Sequence, residues 1–121
     1  MKLNWVTFKV SDLEKSTFFY TELLNLDISA KFGSSERQIV MLGKADEPKV
    51  ELIFEPNTKI EKPGNGVSIG LEADNLDLLI NVLKGHGYKA TGPILPNPQI
   101  RFFLVQDPDG YTVQLVEQKS K

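Results

Sequence analysis

The sequence repeats itself at a fixed offset of 63 residues. This shift lays Val10–Leu13 over Ala73–Leu76, and it lays Val50–Ile53 over Val113–Val116 without any gap. Self-similarity at a constant period indicates a duplicated supersecondary unit. The chain is therefore predicted to form one domain, 1–121, that is built from two similar modules. The predicted boundaries are 1–58 for module one, 57–66 for the linker and 64–121 for module two.

Each module is predicted to follow the order strand, helix and three strands, which gives an α+β fold of two βαβββ modules. Leu3–Val10 alternates apolar and polar residues as a half-buried strand does. Ser11 and Asp12 can cap a helix that carries apolar residues at helical spacing as far as about Leu24. The further predicted elements are strands at Asp27–Phe32, Arg37–Leu42, Lys49–Phe54, Val67–Ala73 and Tyr88–Thr91, a helix at Leu76–Lys84 and a stiff loop at Gly92–Pro98.

The last stretch, Arg101–Glu117, is predicted to be a β-hairpin. Its turn is Asp107–Gly110, in which proline presets φ and glycine tolerates positive φ. We expect Gln106 to pair with Tyr111, and this register decides which side chains share a face. The ligand-facing side is then predicted to carry Arg101, Phe103, Val105, Thr112, Gln114 and Val116, and the apolar side Phe102, Leu104, Val113 and Leu115.

Composition excludes several classes of protein. The chain has 14 Lys and Arg against 16 Asp and Glu, which does not favour nucleic acid as a partner. It has no Cys, so disulfides and thiolate chemistry are excluded. No signal-peptide pattern and no apolar run of about 20 residues is present, so neither secretion nor a membrane partner is expected. We expect a cytoplasmic protein.

Three stretches carry a family resemblance. They read VTFKVSDLEKSTFFYTELLNLDI, SIGLEADNLDLLINVLKGHGY and FFLVQDPDGYTVQLVE. With them the chain resembles the vicinal oxygen chelate superfamily, which includes glyoxalase I, extradiol dioxygenases and bleomycin-resistance proteins. The resemblance implies curled mixed sheets that enclose a cavity, with the helices on the outer face and often within a homodimer. Whether the modules pair within one chain or across a dimer stays open.

The resemblance also implies where a metal would bind. The positions that match the family's metal ligands are Trp5, Glu51, Ser68 and Gln114. Only Glu51 is a strong ligand, because an indole offers no lone pair and neutral hydroxyl and amide groups bind divalent cations weakly. The lone His86 follows a helix and is read as a solvated residue. No cofactor is predicted, and a divalent metal is not expected.

A small-molecule pocket is predicted instead, with apolar walls and a few directed polar groups. A carboxylate beside aromatic rings suits a cationic ligand. The predicted ligand-binding residues are Trp5, Glu51, Ser68, Arg101, Phe103 and Gln114.

Each of these roles has a structural alternative. Trp5 either lines the cavity or fills it. Glu51 either meets a ligand or forms an ion pair with a nearby Lys or Arg. Ser68 and Gln114 either meet a ligand or bond to each other.

Three functions follow from these readings. The first is a metal-independent protein that sequesters a partly aromatic, cationic compound. The second is an enzyme of the superfamily (a glyoxalase-like lyase, isomerase or dioxygenase) with Glu51 as the best candidate general base. The third is a ligand sensor or interaction module with a filled cavity. Exposed sheet edges favour a homodimer.

Overall fold

The computed structural model describes residues 1–119 and divides into two compact units. Unit 1 is Met1–Glu61 and unit 2 begins at Lys62, so the division falls inside the predicted linker. Each unit contains one four-stranded sheet with the same strand order. The predicted α+β fold of two βαβββ modules is therefore confirmed.

Unit 1 has its first and last strands side by side and parallel, and its other neighbours antiparallel. The sheet order is first, fourth, third, second strand. Its elements are β1 (Trp5–Lys9), helix α1 (Leu13–Phe18), a π-helical turn (Phe19–Leu23), β2 (Ile28–Ser34), β3 (Arg37–Leu42) and β4 (Lys49–Phe54).

The helix of unit 1 begins at its predicted cap. The Asp12 carboxylate accepts a hydrogen bond from the backbone N–H of Lys15 at 3.0 Å, which satisfies one of the free donors of the first turn. The chain stays helical to Leu23, but its last turn is wider than an α-helix. Phe8 of β1 contacts Tyr20 of that turn, with ring centroids 6.2 Å apart. We call the side of the sheet that carries Phe8 the helix face, and the opposite side the helix-free face.

Unit 2 repeats this arrangement. The Asn75 side chain caps its helix by accepting from the N–H of Leu78 at 3.2 Å. Gly87 follows the helix with φ of +87°, the left-handed conformation in which glycine often ends a helix. Its elements are β5 (Ser68–Glu72), α2 (Leu76–Gly85), β6 (Ala90–Asn97), β7 (Ile100–Gln106) and β8 (Thr112–Gln118).

The prediction of a loop at Gly92–Pro98 is wrong, because most of this stretch belongs to strand β6. The breakers in that stretch are tolerated because β6 is an edge strand, where a missing N–H costs no ladder bond on its outer side. Its pairing with β7 is irregular, with register shifts on both sides of Ile94. No helix within residues 1–119 is long and apolar enough to cross a membrane.

The register of the β7–β8 hairpin is one residue away from the prediction. Gln106 pairs with Thr112, not with Tyr111. Tyr111 belongs to the loop because its carbonyl accepts from the N–H of Asp107 at 2.9 Å, and its own N–H donates to the Asp107 carboxylate at 2.9 Å. Since side chains alternate along a strand, this single step exchanges the two faces of β7 relative to β8.

Candidate functional site

The helix-free face of unit 1 carries the Glu51 carboxylate. Thr7 of β1 is the ladder partner of Glu51 of β4, and its hydroxyl donates to Glu51 Oε1 at 2.6 Å. Trp5 lies two residues before Thr7 on the same face, and its side chain is 52% exposed. The strand pairing thus puts a carboxylate and an accessible indole on the same face, with Trp5 two positions along β1 from the ladder partner of Glu51.

The nearby cations on this face pair with Glu55 and not with Glu51. Lys9 Nζ lies 2.5 Å from Glu55 Oε1, and Arg37 Nε lies 4.0 Å from Glu55 Oε2. The hydrogen bond from Lys9 holds the pKa of the Glu55 carboxyl below its ordinary value. Within residues 1–119, Glu51 has no Lys or Arg at ion-pair distance. The predicted structural ion pair of Glu51 is therefore not formed.

The equivalent pair in unit 2 is neutral. The Gln114 amide donates to Ser68 Oγ at 2.9 Å, which is one of the two alternatives that the sequence left open. Gly70 is the ladder partner of Gln114, and a Cβ at Gly70 would meet only Val116 at 4.0 Å. Ser68 and Gln114 therefore keep some unused hydrogen-bonding capacity, and they lie beside the open space at Gly70.

Arg101 and Phe103 do not lie on the face that carries Gln114, so their predicted placement is wrong. The corrected register puts both on the helix face of unit 2, with Phe103 opposite Leu115 and only 8% exposed. Arg101 donates to Glu117 of β8 at 2.8 Å and to Asp77 of α2 at 3.0 Å. Arg101 thus ties the helix to the sheet, and the predicted ligand role of both residues loses its geometric basis.

This three-residue network predicts a pH dependence of stability. The hydrogen bonds from Arg101 hold the pKa of Asp77 and of Glu117 below their ordinary values of 3.8 and 4.5. A carboxylate with a lowered folded-state pKa stabilises the fold above its unfolded pKa, and this contribution is lost as the pH falls through the folded pKa. We expect Arg101→Gln to be less stable than wild type at about pH 7, with the difference shrinking towards about pH 3.

Chemical unfolding of both proteins across this pH range, followed by circular dichroism, measures the effect. Lys89→Gln, which removes an exposed cation from the loop before β6, is the control for net charge. A stability difference between Arg101→Gln and wild type that stays constant with pH would assign Arg101 a packing role without ionic linkage.

The four positions that match the family's metal ligands do not form a metal-binding set. In unit 1, Trp5 carries only an N–H donor, and one oxygen of Glu51 accepts from Thr7. In unit 2, Ser68 and Gln114 bond to each other. A divalent metal at a catalytic site usually takes about three His or carboxylate ligands. In the part of the chain that the structure describes, no three His, Cys, Asp or Glu side chains are grouped so as to hold a metal ion.

Thr7 is the site residue whose contact the sequence did not predict. Thr7 is 44 residues from Glu51 in the chain. The register of a parallel pair depends on the crossover between its strands, and no local sequence signal reports it. The repeat offers one hint, because Thr7 and Glu51 correspond to Gly70 and Gln114, which are also ladder partners in a parallel pair.

Comparison with known proteins supports the fold and the family. The family model described as "Glyoxalase/Bleomycin resistance protein/Dioxygenase superfamily" matches residues 2–115. The chain belongs to this superfamily.

Relatives of similar length carry the names of lyases. A lactoylglutathione lyase of Salmonella typhimurium is 28% identical over 128 residues, which covers 98% of this chain and 94% of the relative. A probable lactoylglutathione lyase of Vibrio cholerae is 28% identical over 120 residues, covering 92% of this chain and 86% of the relative.

Solved structures with the same fold include both enzymes and binding proteins. The trypanothione-dependent glyoxalase I of Leishmania major has a TM-score of 0.77 at 22% identity, covering 97% of this chain and 86% of that one. An antibiotic-binding protein of Streptomyces sp. has a TM-score of 0.72 at 22% identity, covering 98% of this chain and 97% of that one. At these identities the likeness concerns the fold alone.

Proposed function

We propose that this protein is a metal-independent small-molecule-binding protein of the glyoxalase/bleomycin-resistance type, and that it sequesters a partly aromatic, cationic compound. One observation carries the proposal. The Glu51 carboxylate has no Lys or Arg at ion-pair distance within residues 1–119, and it lies on the same face as the exposed Trp5 indole.

A carboxylate in this setting is suited to an external cation. Thr7 holds one oxygen of Glu51 in place, so the group is oriented before a ligand arrives. The indole face can stack on an aromatic ring and attracts a cation through its quadrupole. The exposure of Trp5 supports its role as a wall of a site and not as a filler.

The chemistry of the matched positions supports metal independence. One carboxylate, one indole, one hydroxyl and one amide are too few strong ligands for a catalytic divalent metal. The antibiotic-binding protein of Streptomyces sp. indicates that this fold can serve binding. A planar compound with a protonated amine is the ligand class that we propose for this chain, because Glu51 offers a negative charge and Trp5 an aromatic face.

The second candidate is an enzyme of the same superfamily. It is favoured by the relatives named lactoylglutathione lyase at 26–29% identity. In that case Glu51 would be the general base, because it is the one titratable side chain among the four matched positions. Ser68 and Gln114 could then donate hydrogen bonds to a developing oxyanion.

The proposal is tested first by metal analysis and thermal shift. Protein purified without chelator should contain no stoichiometric Ni, Zn, Mn or Fe, and added metal should not raise its melting temperature. A panel of planar aromatic amines and glycopeptides should contain a stabilising compound, since a ligand at 100 times its Kd adds about 2.7 kcal/mol. Stoichiometric metal, or turnover of a 2-oxoaldehyde–thiol adduct, would overturn the proposal in favour of the enzyme.

Glu51→Gln gives the residue-level prediction. We expect it to weaken binding of the cationic compound roughly tenfold or more, because a charge-assisted hydrogen bond becomes a neutral one. Isothermal titration calorimetry measures the loss. Glu55→Gln is the matched control, because that carboxylate lies on the same face but is already paired with Lys9. Equal losses for the two variants, or none for either, would remove Glu51 from the site.

A further inference from the structure

Unit 1 has a pocket between its helix and its sheet. It has a volume of about 440 Å³, which is within the usual range for small-molecule sites. It lies on the helix face, between the start of α1 and strands β2 and β3, and not on the helix-free face that carries Glu51. The residues that matter for its chemistry are Leu13, Glu14, Thr17, Lys31, Gln38 and Val40.

The internal repeat explains why this pocket exists. The residue equivalent to Thr17 is Ile80, and the residue equivalent to Val40 is Phe103. Both residues of unit 2 are larger, and they are buried at 4% and 8% exposure. Unit 1 therefore has the same backbone arrangement with smaller side chains, and the missing volume is left as a pocket.

The repeat also identifies the charge that unit 1 lacks. In unit 2 the Arg101 guanidinium lies between β7 and the Asp77 carboxylate in the first turn of α2. The position of Asp77 is taken in unit 1 by Glu14, also in the first helical turn, whereas the position of Arg101 is taken by the neutral Gln38. Unit 1 thus keeps one of the two acceptors of the network, whereas the cation is absent and the position of Glu117 is taken by the apolar Phe54.

The missing cation is not replaced by another Lys or Arg near Glu14 in the part of the chain that the structure describes. Among residues 1–119, no Lys or Arg lies within ion-pair distance of Glu14, although Lys31 lines the same pocket. Leu13, Phe32 and Val40 add apolar side chains to the same lining.

We propose that this helix-face pocket of unit 1 binds a small aryl amidine or aryl guanidine. The aromatic ring would occupy the space that the Phe103 ring fills in unit 2, and the amidinium would take the place of the Arg101 guanidinium against Glu14. A planar, forked cation matches a carboxylate in two-point geometry, as arginine does. This site is separate from the one proposed around Glu51, and either site can exist without the other.

Benzamidine is the probe, and two-dimensional amide NMR of the full chain is the measurement. We expect saturable shift changes at the amides of Leu13, Lys31 and Val40. Benzamide, which has the same shape without the charge, should bind at least fivefold more weakly. Shift changes that occur only near Trp5 and Glu51 would overturn the proposal.

Two variants assign the contacts. Glu14→Gln changes an exposed side chain and should weaken benzamidine at least fivefold without changing the fold. Gln38→Arg combined with Val40→Phe rebuilds the arrangement of unit 2 and should abolish binding. A well-dispersed amide spectrum would show that the double variant is folded. If the double variant does not fold, the benzamidine affinity of Glu14→Gln alone tests the proposal. Unchanged benzamidine affinity in Glu14→Gln would overturn the proposal.

Two controls separate this site from its alternatives. Asp77→Asn removes the equivalent carboxylate in unit 2 and should leave benzamidine affinity unchanged. Glu51→Gln should leave the benzamidine-dependent shift changes at Leu13, Lys31 and Val40 unchanged, so a failure of one proposed site cannot be mistaken for a failure of the other. A loss of affinity in Glu51→Gln equal to that in Glu14→Gln would overturn the separate site.

Discussion

Phe103→Ala should lower the free energy of unfolding by about 3–5 kcal/mol, the usual cost of removing a buried phenylalanine ring. Phe103 is 8% exposed and lies opposite Leu115 on the helix face of unit 2. Truncation removes apolar contacts and leaves a cavity that the surrounding sheet and helix cannot close. Urea unfolding followed by circular dichroism measures the loss.

Phe102→Ala is the matched comparison, because it removes the same ring from the next position in the strand. Phe102 is half-buried on the helix-free face, so we expect a smaller loss, about 1–2 kcal/mol. The predicted register reverses this order, since it makes Phe102 the core residue. A larger loss for Phe102→Ala would therefore contradict the observed pairing of Gln106 with Thr112.

Asp107→Ala should cost about 3 kcal/mol, because two hydrogen bonds to a charged acceptor are lost at once. Asp107 is 4% exposed, and its Oδ1 accepts from the backbone N–H groups of Asp109 and Tyr111, both at 2.9 Å. Without the carboxylate these N–H groups lose their acceptor in the loop that sets the hairpin register. Urea unfolding gives the free energy, and hydrogen exchange at the two amides reports the local opening.

Asp107→Asn keeps an oxygen at the same place and should recover more than half of the loss. An equal loss in both variants would show that the negative charge, and not the acceptor geometry, holds the loop. Full stability in Asp107→Ala would contradict the role of this side chain in the turn.

The topology could be predicted because it depends on patterns that repeat. Alternation of apolar residues marks strands, and the caps at Asp12 and Asn75 mark the two helix starts. The constant offset then requires both modules to have one fold. Strands β1 and β5 in fact begin at Trp5 and Ser68, which are related by that offset.

The elements that were mispredicted depend on neighbours distant in sequence. The stretch Gly92–Pro98 reads as a loop from its composition, but β7 recruits most of it as an edge strand. Arg101 reads as a ligand-facing cation, but one additional loop residue turns it towards Asp77. Neither outcome is encoded in the residues of the stretch itself.

The candidate site could likewise be predicted only in part. The sequence identified Trp5, Glu51, Ser68 and Gln114 as equivalent positions, and the structure places them on the helix-free faces of their units. The metal-free site, the bound compound, the cytoplasmic location and the homodimer stay predictions.

The sequence by itself determined that the chain is a duplicated βαβββ module, because this follows from local patterns and a constant offset, and the family resemblance then identified the residues at the matched positions. Only the tertiary structure decided which side chains face which way and which charges are paired. A strand has a side-chain period of two, so one residue in the loop around Asp107 reverses a face. The pairing of Lys9 with Glu55, which leaves Glu51 without a Lys or Arg partner in residues 1–119, depends on strands that are adjacent in space but 46 residues apart in the chain.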